Sequence, residues 1–155
     1  MRALIQRVSS ASVEVGKTEI AAINSGLLVF LGVVHADNEA AADWLVDKVC
    51  MLRIFSGVGV DGITVKPMNL SVIDVQGEVL VVSQFTLAAD VSKGRRPGFS
   101  PAAKPEQAKG LYDYFCRAVQ TRMGSVKTGE FGADMQVHLT NDGPITFMLE
   151  NPDHL

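Results

Sequence analysis

The chain has 155 residues, of which 47% are hydrophobic and 20% are charged. This balance predicts one globular domain over residues 1–155 and excludes long disorder. The formal net charge of −3 excludes a protein that binds nucleic acid over a broad basic surface, so any RNA contact must be local. No apolar run is long enough to cross a bilayer, and the N-terminus lacks the pattern of a signal peptide. We therefore expect a soluble, cytoplasmic protein without membrane association.

The first third of the chain is typical of β-strands. Residues 2–8 and 12–23 alternate between apolar and polar positions and predict short strands, with Ser9-Ser10 and Gly16-Lys17 as the interruptions. Residues 27–34 are almost continuously apolar and rich in β-branched side chains. That pattern predicts a strand covered on both faces.

A helix is predicted next, because Asp37-Asn38 offers side-chain oxygens for an N-cap and apolar residues then follow at helical spacing to about Phe55. Residues 56–67 contain three glycines and a proline and predict a flexible surface loop. Residues 78–86 have the strongest strand pattern in the chain.

The last third begins with an irregular basic loop at residues 94–98 and continues with a helix from Pro105 to about Met123. Final strands are predicted near 134–140 and 144–150, joined by Asn141-Asp142-Gly143. Strands outnumber helices in this order of elements. We therefore predict an α+β domain whose mainly antiparallel or mixed sheet curls towards a barrel and is covered by two helices.

The sequence contains no familiar catalytic set at a recognisable motif spacing, which leaves open only a set assembled from distant parts of the chain. None of the histidines, His35, His138 and His154, has a Ser, Cys or Asp at a recognisable motif spacing. The cysteines, Cys50 and Cys116, lie in predicted helices among apolar neighbours, which favours buried thiols. No Cys or His pair has metal-ligand spacing, so the sequence predicts neither a metal site nor another cofactor.

Polar residues at the ends of predicted strands offer better candidates. Ser83-Gln84-Phe85-Thr86-Leu87 ends an apolar strand in hydroxyl and amide groups, which is compatible with a site or with a strand that turns to solvent. Asn141-Asp142-Gly143-Pro144-Ile145-Thr146 is compatible with a site or with a plain hairpin turn, because all four leading residues favour turns.

Together, and in this order, these segments resemble the signature motifs of the D-aminoacyl-tRNA deacylase family. The resemblance covers nearly the whole chain. Further matching blocks are Met1–Val8, Gly26–Val29, Leu52–Phe55, Met68–Ser71, Val81–Leu87, Lys93–Pro97, Leu111-Tyr112 and Thr128–Met135. The chain departs from the family by a modest insertion at 56–67 and by Ala88, where an aromatic residue is often found.

The resemblance implies an enzyme that hydrolyses the ester between a D-amino acid, or glycine, and the terminal ribose of tRNA. It also implies a homodimer in which Gly143-Pro144, joined by a cis peptide bond, enters the active site of the other subunit. There this dipeptide would exclude L-amino acids by steric repulsion. Arg7 matches an arginine that holds this motif in place.

The other motif residues, Ser83, Gln84, Phe85 and Thr86, are implied to form the catalytic site. Thr86 has been considered as a nucleophile in the family, but no base lies close to it in sequence. Main-chain N–H groups and the 2′-hydroxyl of the tRNA are the preferred alternative.

Binding of the tRNA end is implied for residues of the last two thirds of the chain. Phe131 and Met135 match residues that cradle the terminal adenine, with core packing as the alternative. Lys93, Arg95 and Arg96 are candidates for phosphate contacts, with a solvated basic loop as the alternative.

Other interpretations remain open at this point. They are a nucleotide-binding module without turnover, a structural dimer whose polar motifs serve only its interface, and a paralogue that clears certain L-amino acids. The intact motifs favour the D-specific enzyme.

Overall fold

The computed structural model describes residues 1–151, so His154, one of the histidines considered above, lies outside the described residues. A long strand, β1 (Arg2–Val15), is the centre of the sheet. The remaining elements are, in chain order, β2 (Thr18–Ile23), β3 (Gly26–Gly32), α1 (Glu39–Met51), β4 (Phe55–Val58), β5 (Val65–Leu70), β6 (Glu78–Ser83), a short 3-10 helix (Phe85–Ala88), α2 (Pro105–Met123), β7 (Lys127–Thr128) and β8 (Met135–Glu150).

The sheet is mixed and curled. Strand β1 pairs antiparallel with β8 along one edge, and on its other edge with β3 and then β2. Strands β3, β6 and β7 continue the sheet in parallel. The curl brings β2 against β6 and β7, so the sheet nearly closes into a barrel. This architecture confirms the predicted α+β fold with a sheet that curls towards a barrel.

The core lies on both faces of the sheet. The inner face packs Val8, Val13, Leu28 and Leu80 together inside the curl. The outer face buries its side chains under α1 and α2, which contribute Leu45, Val49, Phe115 and Val119 among others. The apolar strand β3 supplies side chains to both clusters, as its sequence predicts.

Both helices begin where the sequence predicts. The Asn38 side chain caps α1 by accepting from the Ala41 N–H at 3.0 Å, and Pro105 occupies the first turn of α2. Helix α1 ends at Met51 instead of Phe55, because Leu52 takes an extended conformation and Phe55 begins β4. None of the helices within residues 1–151 is long and apolar enough to span a membrane.

Three further predicted boundaries were wrong. Strand β1 continues through Ser9-Ser10, because β8 pairs with it on both sides of that point, and the chain turns only at Gly16-Lys17. The predicted loop 56–67 is largely the β4–β5 hairpin. The predicted strand 78–86 ends at Ser83, and a 3-10 helix follows.

The tip of the β4–β5 hairpin is ordered by Asp61. Its carboxylate accepts from the N–H groups of Ile63 and Thr64 and from the Thr64 hydroxyl. These hydrogen bonds favour the ionised carboxylate and lower the Asp61 pKa to about 2. An Asx-type turn of this kind closes the hairpin, which the glycine content alone does not reveal.

Candidate active site

A cavity of about 500 Å³ opens at the carboxyl end of β6. Ser83, Gln84 and Phe85 line it, and so do Phe131 and Met135. Its remaining walls are mainly apolar and come from β3, α2, the segment before α2 and the start of β8: Leu31, Val33, Val82, Ala102, Ala103, Pro105, Ala108, Tyr112, Gly132, Ala133 and Val137. The fold thus brings together five of the residues that the sequence singled out.

The end of β6 explains why polar groups face this cavity. The Gln84 N–H still donates to the Leu31 carbonyl at 2.8 Å, as the last bond to β3, and the chain then turns into the 3-10 helix. Neither the Phe85 nor the Thr86 N–H donates to an acceptor among residues 1–151. Phe85 lines the cavity, and a free N–H donor at the wall of an apolar cavity can stabilise an oxyanion that develops there.

Thr86 itself does not line the cavity, and its side chain is exposed. Its hydroxyl accepts a hydrogen bond from the Gln84 side-chain amide at 2.5 Å. Within the described residues, no carboxylate or imidazole contacts this hydroxyl. An amide donor cannot remove the hydroxyl proton, so this geometry gives Thr86 no general base.

Tyr112 is a cavity residue whose role sequence reasoning missed. Its hydroxyl donates to the Val81 carbonyl of β6 at 2.9 Å, and its ring lies 5.6 Å from the Phe131 ring, centroid to centroid. Burial raises the Tyr112 pKa well above its ordinary value, so the phenol stays neutral. A tyrosine on an apolar helix face gives no sequence signal for this contact, because β6 and α2 are distant in the chain.

Gly143 and Pro144 lie elsewhere in the subunit. Gln6 of β1 pairs with Thr146 of β8, and Val8 pairs with Asn141. Between these two pairs β1 advances by two residues, whereas β8 advances by five. The segment between these pairs therefore bulges out of the sheet, with Gly143 and Pro144 exposed and joined by a cis peptide bond. The alternative of a plain hairpin turn at this segment is excluded, because both halves of β8 pair with the same strand, β1.

Only glycine fits at the first position of this dipeptide. Gly143 has a φ of +131°, and a Cβ there would lie 2.8 Å from Ile145 Cγ1 and 2.9 Å from the Ile145 nitrogen. Both facts exclude a side chain without backbone movement. The bulge thus presents bare backbone to solvent.

Arg7 and Asn141 anchor the bulge from below. Arg7 Nε lies 3.0 Å from Asp142 Oδ2 and donates to the Asp142 carbonyl at 3.2 Å, while Nη1 donates to the Ile54 carbonyl at 2.7 Å. The Asn141 amide donates to the carbonyls of Arg7 and Ile145, at 3.0 and 2.9 Å. These contacts join both ends of the bulge to β1 and to the segment that leads into β4.

The bulge and the β6 cavity are separate within one subunit. None of residues 142–144 lines the β6 cavity. Arg7 and Asp142 instead line a second cavity of about 530 Å³, together with Phe55, Gln76 and Glu78.

Other candidate residues lie outside both cavities. Lys93, Arg95 and Arg96 are exposed on the loop before α2, and none forms an ion pair within residues 1–151. Cys50 and Cys116 are buried as predicted, and burial raises their pKa values to about 11 and about 12. Thiols of this kind are inert at neutral pH.

The family model described as D-Tyr-tRNA(Tyr) deacylase matches residues 4–150. A D-aminoacyl-tRNA deacylase of Idiomarina loihiensis is 55% identical over 150 residues, which are 97% of this chain and 99% of that relative. The D-aminoacyl-tRNA deacylase of Clostridioides difficile is 50% identical over 151 residues, 97% of each chain.

Two solved structures have a fold similar to that of this chain. The c-Myc DNA Unwinding Element Binding Protein superposes with a TM-score of 0.88 at 44% identity, covering 98% of this chain and 99% of that one. A probable eukaryotic D-amino acid tRNA deacylase superposes with a TM-score of 0.82 at 19% identity, covering 96% and 97%, and supports the fold. The resemblance noted from the motifs is confirmed, and the chain belongs to the D-aminoacyl-tRNA deacylase family.

Proposed function

We propose that this protein hydrolyses the ester that joins a D-amino acid to the terminal ribose of tRNA, releasing the free amino acid and the tRNA. The observation that carries the proposal is the β6 cavity, which Ser83, Gln84, Phe85, Phe131 and Met135 line together in a chain of this family. The protein acts as one domain, residues 1–155, in the cytoplasm, where aminoacylated tRNA is found.

The chemistry requires little from side chains, because an aminoacyl ester is already activated. Water attacks the ester carbonyl, the bond to the ribose oxygen breaks, and that oxygen takes up a proton. The free N–H groups of Phe85 and Thr86 point to stabilisation of the oxyanion, and the 2′-hydroxyl of the ribose helps to position the water. The Gln84 amide and the Ser83 hydroxyl orient the ester at the cavity edge.

The terminal adenosine occupies the apolar part of the cavity. Phe131 and Met135 offer an aromatic face and a thioether for contact with a purine, and Tyr112 supports the Phe131 ring. A cavity of about 500 Å³ lies in the range of sites for a small organic molecule. Lys93, Arg95 and Arg96 contact phosphates of the acceptor end.

Chirality is selected by the backbone of Gly143 and Pro144, which reaches into the β6 cavity of a second subunit. The supporting observations are that the bulge is exposed, anchored by Arg7 and Asn141, and absent from the walls of its own subunit's cavity. In such a homodimer the bulge excludes L side chains at the α-carbon and admits a D side chain or the hydrogen of glycine.

The test is hydrolysis of D-Tyr-tRNA and L-Tyr-tRNA at equal enzyme concentration. We expect the D-form to be cleaved and the L-form to remain. Tight binding without turnover would support a nucleotide-binding module instead, and neither binding nor turnover would support a structural dimer. Cleavage of both enantiomers at similar rates would support the relaxed paralogue.

The variant Thr86→Ala is expected to retain activity within about tenfold of the unmodified protein, because the Thr86 hydroxyl has no base and its backbone N–H survives the change. Hydrolysis of D-Tyr-tRNA under single-turnover conditions measures the effect. Thr121→Ala is the matched control, since the Thr121 hydroxyl donates to the Arg117 carbonyl of α2 and to no other acceptor within residues 1–151. A folded Thr86→Ala protein without turnover, or a trapped acyl-Thr86 ester, would show that Thr86 is the nucleophile.

A further inference from the structure

An aromatic pair stands on the surface beside the β6 cavity. The side chains of Phe85 and Phe99 are 60% and 39% exposed, and their rings contact each other with centroids 5.0 Å apart at 49°. Apolar surface that remains in contact with water is unfavourable relative to buried surface, and both phenylalanines leave such surface exposed. An exposed aromatic pair at the mouth of a cavity is a candidate surface for contact with another molecule.

Phe99 lies at the rim of the cavity. Phe99 itself does not line the cavity. However, Phe85, whose ring it contacts, lines the cavity, and so do Ala102 and Ala103, which follow Phe99 closely in sequence. The Ala102 N–H donates to the Phe99 carbonyl at 3.0 Å, and the Ala103 N–H donates to Val33 at the cavity wall. Phe99 therefore extends the aromatic surface from the cavity mouth outward.

The same loop carries a local positive charge. Reciprocal hydrogen bonds of 2.8 Å between Asp90 and Gly98 close its base. Between them lie Lys93, Arg95 and Arg96, so the loop has three cations and one carboxylate in a chain of net charge −3. An aromatic surface beside unpaired cations is the combination with which proteins bind single-stranded nucleic acid.

We propose that this rim is a binding subsite for the nucleotide that precedes the terminal nucleoside of the RNA strand. Its base stacks on Phe99, and the phosphates that flank it face Lys93, Arg95 and Arg96. This inference rests on the proposed function, which places the terminal nucleoside and its ester in the β6 cavity. The single strand leaves that cavity past Phe85, and Phe99 is the next aromatic surface that it meets.

Substrates of different length test this subsite. We expect D-tyrosyl-adenosine to be cleaved with a lower kcat/KM than the D-tyrosyl ester of the trinucleotide cytidyl-cytidyl-adenosine. Phe99→Ala is expected to lower kcat/KM for the trinucleotide about tenfold and that for the adenosine ester by less than about twofold. Phe99→Tyr should restore cleavage of the trinucleotide, because it keeps the ring.

The matched control is Val91→Ala, a change of another exposed apolar residue on the same loop, which should alter neither rate. Equal losses on both substrates in Phe99→Ala would show that Phe99 only supports Phe85, and would overturn the proposal. Equal cleavage of both substrates by the unmodified protein would also overturn it while leaving the proposed function intact. Cleavage of neither substrate, nor of D-Tyr-tRNA, would instead refute the proposed function.

Discussion

Glycyl-tRNA is expected to be hydrolysed between about five and about a hundred times faster than L-alanyl-tRNA, although these substrates differ by one methyl group. If the backbone of Gly143 and Pro144 faces the α-carbon of the substrate, the L-alanyl methyl occupies the space of that backbone. Overpacking of this kind costs about 1–3 kcal/mol, and about 3 kcal/mol corresponds to roughly a hundredfold in rate. D-Alanyl-tRNA should be cleaved like the glycyl form.

A side-chain pocket could not produce this pattern. Attraction of one D side chain gains only about 1–3 kcal/mol per methylene, and it would favour one amino acid over the others. Exclusion at the α-carbon acts on every L-amino acid and does not depend on the rest of the side chain. It requires a surface that does not yield, which the anchors of the bulge provide through Arg7 and Asn141.

The anchors can be tested with the same substrates. Arg7→Gln loses the ion pair with Asp142 and should reduce both the rate on glycyl-tRNA and the preference for it over L-alanyl-tRNA. Arg122→Gln removes the Arg122–Asp47 ion pair, away from both cavities, and should leave the preference unchanged. Equal cleavage of glycyl- and L-alanyl-tRNA by the unmodified protein would exclude a backbone filter.

The sequence predicts those parts of this fold that depend on local signals. Asn38 and Pro105 mark the starts of the helices, and the apolar pattern of β3 predicts a strand buried on both faces, because each signal acts within a few residues. Strand β8 shows the limit of this reasoning. Its Asn, Asp, Gly and Pro residues favour a hairpin locally, yet pairing of both flanks with β1 turns the same residues into a bulge.

Some residues of the candidate site could likewise be predicted from the sequence, and others could not. Ser83, Gln84, Phe131 and Met135 stand out through the family motifs, and the fold brings them into one cavity. The positions of Tyr112 and Phe99 follow from packing between segments that are distant in the chain, and a single tyrosine or phenylalanine carries no local sign of it. Sequence reasoning therefore identifies the motif residues of the candidate site better than its walls and rim.

Two inactive variants are expected to restore activity when their subunits are mixed. The first is Phe85→Pro, which removes the backbone N–H proposed to stabilise the oxyanion. Proline is tolerated at this position, because Phe85 begins the 3-10 helix and its N–H donates to no acceptor within residues 1–151. The second is Gly143→Leu, whose Cβ collides with Ile145 and distorts the bulge.

The fraction of activity that should return on mixing follows from the cross-subunit arrangement. In a heterodimer, one site combines both damaged parts, and the other combines an intact cavity with an intact bulge. Random exchange of equal amounts makes half of the dimers mixed, so about a quarter of the normal activity on D-Tyr-tRNA should return. Native mass spectrometry of differently tagged chains measures the exchange.

A second mixture, of Ala103→Trp with Phe85→Pro, separates this explanation from simple stabilisation of one damaged subunit by its partner. Ala103→Trp places a large side chain in the β6 cavity, so it damages the same part as Phe85→Pro. Every site in that mixture contains a damaged cavity, and no activity should return. If the Phe85→Pro and Gly143→Leu mixture also stays inactive despite measured exchange, the cavity and the bulge do not combine across subunits. The filter would then have to reach the cavity of its own chain, from which the geometry of one subunit separates it.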